Sequence, residues 1–365
     1  MKWLFLMLIF GTLSSLSFCK AISRKNFIRL TYVFLIVFAL FYEPSQSADM
    51  YRFREALIYI KVNGAAAGYR ELWYIYENSQ LFFRIMVLLS HIPTFLFFPI
   101  CLLLTYGVAL AIFFDATRDA KLTQYQFGMV FSFFVCCVNF GIIFSIMRFF
   151  MAYYFGIVGI YIWLKPGLKK WLKALSVVMI FSSVFIHTAG FMVPVMWILT
   201  LLFHVKWLRI FAFLIPFSMS FIEQIVQITG KIFGDVNLYS VITDKFYSYA
   251  GNNYDDMTSR ARLFYYQILA VILIVLFVTK LLKRENAQHR SFNYFYMILL
   301  LITVAYIPNK TLFFRMIQVT LTMTPIYMAY NANSFSKSQI IQFIMLTECV
   351  AMLFFYGFLS TYRYL

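Results

Sequence analysis

Residues 149–186 read FFMAYYFGIVGIYIWLKPGLKKWLKALSVVMIFSSVFI, two long apolar runs separated by the turn Lys165-Pro166-Gly167-Leu168-Lys169-Lys170. A bilayer core of about 30 Å is crossed by about 20 apolar residues of helix, so each run with its flanks is the length of a membrane span. Pro166 and Gly167 reverse the chain, and the short basic turn between the runs marks a cytoplasmic loop by the positive-inside rule. The reading is a helical membrane hairpin.

Cutting the rest of the chain wherever charge, Pro or Gly interrupts such a run gives about twelve spans in all. They lie near Lys2 to Cys19, Phe27 to Tyr42, Leu81 to Phe114, Gln124 to Ile146, Phe149 to Leu164, Trp171 to Ile186, Ala189 to Phe203, Trp207 to Val226, Ala261 to Leu282, Ser291 to Ile307, Leu312 to Tyr330 and Gln339 to Leu359. Leu81 to Phe114 is over-long and holds Pro93 and Pro99, and Trp171 to Phe203 reads either as two spans or as one broken hairpin split near His187, which brings the count to about ten or eleven. Composition agrees along the whole length of 365 residues: 63% hydrophobic, 12% charged, mean hydropathy +0.80. A soluble domain carries about 25% charge, so a water-soluble globule and a single-anchor protein with a large polar head are both excluded. The expected fold is an all-α polytopic membrane protein forming one domain, residues 1–365, with outer loops near 43–80 and 227–260.

The net charge of +17 is read as topology and attraction to anionic lipid, not as nucleic-acid binding. Lys2 precedes the first run, but Lys20, Arg24, Lys25 and Arg29 follow it and place that loop in the cytoplasm and the N-terminus outside. The Leu16-Ser17-Phe18-Cys19 stretch is rejected as a cleavage box because Phe18 is too large. Propagated, this puts Arg118 and Lys121, Lys165 to Lys173, Lys206 and Arg209, Lys280 to Arg290 and Lys337 in short cytoplasmic turns, which with the first loop hold 17 of the 31 basic residues. The five cysteines sit in apolar runs without metal or disulfide spacing and read as small hydrophobes.

On this topology Arg84, Arg148 and Arg315 fall at the N-terminal ends of helices that enter from outside, the end where the helix dipole disfavours a cation by roughly 0.3 to 1 kcal/mol. A bound phosphate removes that conflict, since free N–H groups and a guanidinium both hold anions; the alternative is snorkelling to lipid headgroups. His187, in Phe185-Ile186-His187-Thr188-Ala189-Gly190, stands at the outer end of a hairpin, where an imidazole suits a general base; an interfacial histidine bonded to a neighbouring helix has the same position. His91 is a weaker copy, while His204 and His289 fall on the cytoplasmic side. The first outer loop carries Asp49, Tyr51, Arg52 and Phe53, a mix of charge and aromatic faces that suits a sugar or an amphipathic surface helix. The second carries Tyr239, Tyr247, Tyr249, Tyr254, Asp255, Asp256, Arg260 and Arg262, with Arg260 a further substrate-binding candidate. Asp255-Asp256 lacks an Asp-x-Asp spacing or a nearby His, so no metal is expected. Glu223 and Glu348 lie within spans as candidate partners of cations.

Taken together these elements resemble the EpsG-like branch of the Wzy-type polysaccharide polymerases, which join lipid-linked repeat units in bacterial membranes. Asp49, Tyr51, Arg52 and Phe53 resemble that family's Asp-x-x-Arg-Tyr region; Ser145-Ile146-Met147-Arg148-Phe149-Phe150-Met151-Ala152 is similar to its arginine-bearing helix start; Ile186-His187-Thr188 is similar to its Ile-His-Ser; and Phe314-Arg315-Met316 is similar to its late arginine. Thr188 for Ser and Phe53 for Tyr are mild departures. The resemblance implies a GT-C-like architecture in the bacterial inner membrane, and an inverting, metal-independent glycosyltransferase without a cofactor, working at the periplasmic face on undecaprenyl diphosphate-linked oligosaccharide to build O-antigen, capsule or exopolysaccharide. It implies Arg148 and Arg315 on the leaving diphosphate, His187 on the acceptor hydroxyl, and Asp49 and Arg52 positioning sugar or diphosphate; a separate chain-length regulator is an expected partner. The competing readings are a flippase or other transporter of lipid-linked oligosaccharide, a membrane acyltransferase, and a scaffold without catalysis.

Overall fold

The computed structural model describes residues 22–43, 49–71, 79–138, 142–143, 146–210, 214, 258–281, 289–307 and 309–362. The first expected span, Lys2 to Cys19, most of the span Trp207 to Val226, Glu223, and nearly all of the second outer loop lie outside the described residues. Within them all regular structure is helical: α1 (Arg24–Leu40), α2 (Asp49–Asn63), α3 (Ala65–Glu71), α4 (Gln80–Ser90), α5 (Thr94–Asp119), α6 (Gln124–Cys137), α7 (Met147–Leu164), α8 (Lys170–Ile186), α9 (Met192–His204), α10 (Thr258–Leu281), α11 (Arg290–Ala305), α12 (Lys310–Asn331) and α13 (Lys337–Tyr362).

The ends are set by local chemistry. Ser23 caps α1 by accepting from the Asn26 N–H at 3.3 Å. Thr123 and Gln126 close a reciprocal capping box on α6, and Ser336 and Gln339 bond the same way at α13, at 2.8 and 3.3 Å. Asn309 accepts from the Leu312 N–H at 3.1 Å to start α12. The over-long run of the sequence divides at Pro93 into α4 and α5, whereas Pro99 interrupts nothing. It lies in the first α-helical turn of α5, after a 3₁₀ start, where an N–H has no partner to lose. Further along, α5 widens into a π-turn over Leu103–Gly107, and the Tyr32 hydroxyl donates to the Gly107 carbonyl at 2.8 Å.

Two of the described helices, α5 and α7, are long and apolar enough to cross a membrane, with mean hydropathies of 2.4 and 1.4. Outward faces are apolar as well: Val33, Phe41, Leu88, Phe95, Val178 and Phe185 are each more than half exposed. An exterior of that kind needs an apolar surround.

The chain packs as two compact units, Met1–Ile198 with Pro325–Asn333, and Leu199–Thr324 with Ser334–Leu365. In the first, α7 and α8 form the tightest helix pair. The reason is the absence of a Cβ at Gly159, where one would stand 2.6 Å from the Ser176 carbonyl oxygen. A phenylalanine core lies beside them: Phe27 meets Phe127 and Phe131 edge-on at 5.3 and 4.8 Å, and Phe113 and Phe114 close the cluster. In the second unit α10 packs on α13, and hydroxyl pairs at 2.7 Å, Tyr296 with Thr324 and Thr303 with Thr320, tie α11 to α12.

At one end of α7, Lys165 bonds Asp115 and reaches Asp119 at 2.6 Å, Arg118 also bonds Asp115, and Tyr330 donates to Tyr161, which donates to Asp115, both at 2.9 Å. Arg24 donates to Thr117, Asn333 to the Ala120 carbonyl at 3.0 Å, and Gln126 to the Ala332 carbonyl at 3.3 Å. Arg24, Arg118 and Lys165 come from three turns that the charge pattern assigns to one face, and they gather here.

Candidate functional site

The other end of α7 is about 25 Å away, at 1.5 Å per residue. There Arg148 is the second residue of the helix, so its side chain leaves the first turn among the N–H groups that the helix does not itself satisfy. Its guanidinium lies over two rings, 5.7 Å from the centroid of Phe53 on α2 and 5.9 Å from that of Phe82 on α4. Phe53 and Phe82 meet each other at 5.0 Å and 61°, and both are buried. Each such cation–ring contact is worth about 0.5 to 1 kcal/mol at an exposed site and more when water is excluded. Two rings on two helices thus hold a cation at a helix start that the dipole disfavours.

The next residue carries the site onward. Phe149 stacks on Tyr153 at 4.3 Å and presents itself edge-to-face to the His187 imidazole, 5.8 Å between centroids at 81°. Arg148 and His187, thirty-nine positions apart, are therefore linked through adjacent side chains of one helical turn. The neighbouring helices agree, since α4 contacts both α2 and α8.

His187 ends α8 in an extended conformation, φ −153° and ψ 136°, and is 6% exposed. Its Nδ1 accepts from the Ala189 N–H at 3.0 Å and so caps the 3₁₀ turn Thr188–Phe191. The turn is locked around it. The Gly190 N–H donates to the His187 carbonyl at 2.7 Å, and Ser183 Oγ donates to the Gly190 carbonyl at 3.0 Å. At Gly190 a Cβ would collide with the Ser183 backbone carbonyl, so only glycine fits the turn this close to α8.

Asp49 opens α2, and Arg52 bonds it across one turn with its side chain 65% exposed. Such an exposed i,i+3 pair contributes only about 0.3 to 0.5 kcal/mol, so it exchanges readily for a ligand. Tyr51 is half-buried with the Arg54 guanidinium 5.0 Å from its ring, and Arg84 is exposed on α4 two residues beyond Phe82. Asp49, Tyr51, Arg52, Arg84, Arg148 and His187 thus all lie in the first unit, on α2, α4, the start of α7 and the end of α8.

Arg315 belongs to the second unit, half-buried on α12 beside the buried Met316 and Ile317. Arg260 lies in the first turn of α10 in that same unit, and its side chain is outside the described residues. His91 and Glu348 are exposed. Among the described residues no three of His, Cys, Asp and Glu gather to hold a metal. Sequence reasoning missed Phe82, which nothing distinguishes among 45 phenylalanines, and the Ala189 N–H, which is backbone. No family model, no curated protein and no solved structure matches the chain.

Proposed function

We propose that this protein is a polytopic membrane glycosyltransferase of about twelve spans with a GT-C-like architecture. It would transfer a growing glycan from undecaprenyl diphosphate to an incoming lipid-linked repeat unit at the periplasmic face of a bacterial inner membrane. The observation that carries the proposal is the single cluster at the start of α7: Arg148 over Phe53 and Phe82, and Phe149 against His187.

The reaction breaks an anomeric carbon–oxygen bond and releases a diphosphate, so negative charge grows on phosphate oxygens in the transition state. A guanidinium held rigidly by two rings, next to helix N–H groups, meets that charge without reorganising, which is the largest usual source of catalysis of this kind. Arg148 takes this role, and for Arg315, in the second unit, a phosphate contact rests on the family resemblance alone. Asp49, Tyr51, Arg52 and Arg84, on the two helices that carry the rings, bind sugar hydroxyls and phosphate from above; for Arg260, in the second unit, substrate binding rests on the sequence alone. A chain-length regulator is the expected protein partner.

The experiment is a gel of surface polysaccharide from cells lacking the gene, rescued with wild type, Arg148→Ala or His187→Ala at matched membrane levels. The proposal requires the ladder to collapse to one repeat unit in the deletion and in both variants. Build-up of lipid-linked precursor on the cytoplasmic side would point instead to a flippase. One observation favours that second reading: Gln318, Thr320, Thr322 and Thr324 form a buried polar run on α12 just before Pro325, a polar helix with a weakened backbone as transporters use.

A further inference from the structure

A neutral imidazole has one nitrogen that accepts and one that donates, and the hydrogen bond made by one decides the state of the other. His187 Nδ1 accepts from the Ala189 N–H at 3.0 Å, so it carries no hydrogen. The ring proton is on Nε2.

The surroundings hold this arrangement in place. His187 is 6% exposed, its backbone N–H donates to the Ser183 carbonyl at 3.2 Å, and its carbonyl accepts from Gly190 at 2.7 Å. Ser183 Oγ fixes the Gly190 carbonyl from α8 at 3.0 Å, and the Phe149 ring bears on the imidazole at 81°. Rotating the ring to exchange its nitrogens would take the acceptor away from Ala189 and leave the N–H at the start of the turn uncapped. A group that removes a proton needs a lone pair directed at it, and the one lone pair of this ring is engaged by backbone.

Resting on the glycosyltransferase reading above, we propose that His187 acts as a hydrogen-bond donor through Nε2–H to a phosphate oxygen of the lipid diphosphate, and not as the base for the acceptor hydroxyl. In the step so written, the acceptor oxygen bonds the anomeric carbon and the bond from that carbon to the phosphate oxygen breaks. The electron pair goes to the diphosphate, which leaves from the face opposite the acceptor, and the hydroxyl proton passes to water on the acceptor's side. His187 keeps its proton throughout. Arg148 and His187 then serve the same anion from two sides of Phe149.

Two substitutions separate the nitrogens. In His187→Asn the side-chain oxygen lies where Nδ1 was and can still cap Ala189, but no donor reaches the Nε2 position. In His187→Gln the amide N–H lies near the Nε2 position, and an amide does not take up protons at neutral pH. The tests are the surface-polysaccharide ladder at matched membrane levels and the ¹⁵N spectrum of the full-length protein labelled at its four histidines, with His187→Asn identifying the His187 signals. The proposal expects a hydrogen-free Nδ1 and a protonated Nε2 at His187. It expects His187→Gln to keep turnover within about tenfold of wild type and His187→Asn to lose on the order of 100-fold or more, the scale of one missing transition-state donor. A proton on Nδ1, or His187→Gln as inactive as His187→Asn, overturns it. A deletion strain whose ladder is unshortened overturns the glycosyltransferase reading and the diphosphate as ligand with it, whatever the spectrum shows.

Discussion

A guanidinium offers the rings beside it a delocalised charge and offers an oxyanion a planar fork of N–H donors. At Arg148 this divides the residue's two properties, charge and fork, and substitution can test them apart. Arg148→Lys retains a cation for Phe53 and Phe82 but has no planar pair of donors for phosphate. It is expected to reach the membrane at wild-type level and to lower turnover by about 100-fold, the usual size for one lost charge-stabilising donor. Phe82→Leu removes one ring contact worth about 0.5 to 1 kcal/mol and leaves the fork, so its turnover should fall only about two- to fivefold. Both are measured as repeat units added per unit time in isolated membranes; equal rates for the two variants would remove the phosphate role from Arg148.

Elements matter here through how closely two helices approach and how their ends are tied. Gly190→Ala sets a methyl group against the Ser183 carbonyl, a contact with backbone that has to shift, and is expected to cost about 1 to 3 kcal/mol. It should also displace the cap on His187, so thermal unfolding in detergent and ladder length should fall together; an unchanged unfolding midpoint would show that the turn is looser than its bonds imply. At the far end of α7, Lys165→Met leaves Asp119 without the cation it bonds and Asp115 with Arg118 and the Tyr161 hydroxyl. The loss expected is about 1 to 3 kcal/mol, the penalty of a partly buried carboxylate left unpaired, with polymerisation per folded molecule unaffected because the cluster is about 25 Å from Arg148. Most helices of this kind were legible in the sequence, since apolar length and flanking charge are one-dimensional quantities: Phe149 to Leu164 is observed as Met147–Leu164, Ala261 to Leu282 as Thr258–Leu281, and Leu312 to Tyr330 as Lys310–Asn331. Pro93 ended a helix and Pro99 did not, a difference that depends on where the first turn begins. Arg148 and His187 were legible as polar residues out of place in apolar surroundings, and Asp49 as part of the charged, aromatic stretch of the first outer loop. Phe82 and the Nδ1 bond of His187 were not, because a ring's partner and a nitrogen's partner are set by tertiary contact.

The whole molecule has to be two-sided if its charge is to be understood, for a net +17 is tolerable beside lipid when the basic turns face the anionic leaflet. Within the first unit the two ends of α7 differ in just this way. One end gathers Arg24, Arg118 and Lys165 with two carboxylates, and the other gathers Arg148, His187 and the helix that begins at Asp49. The sidedness can be tested by counting crossings. Between Ala66 and Lys169 the apolar runs of the sequence form three spans, Leu81 to Phe114, Gln124 to Ile146 and Phe149 to Leu164, with α4 the opening part of the first. Three crossings are an odd number, so Ala66 and Lys169, both exposed, should lie on opposite sides of the membrane. With the native cysteines replaced, Ala66→Cys is expected to react with a membrane-impermeant maleimide in intact spheroplasts, and Lys169→Cys only after the membrane is opened. If both react from outside, the run Leu81 to Phe114 crosses twice or one of the three spans does not cross. If only Lys169→Cys reacts, the positive-inside assignment is inverted, the Arg148 cluster faces the cytoplasm, and a transferase working on the periplasmic side is no longer tenable.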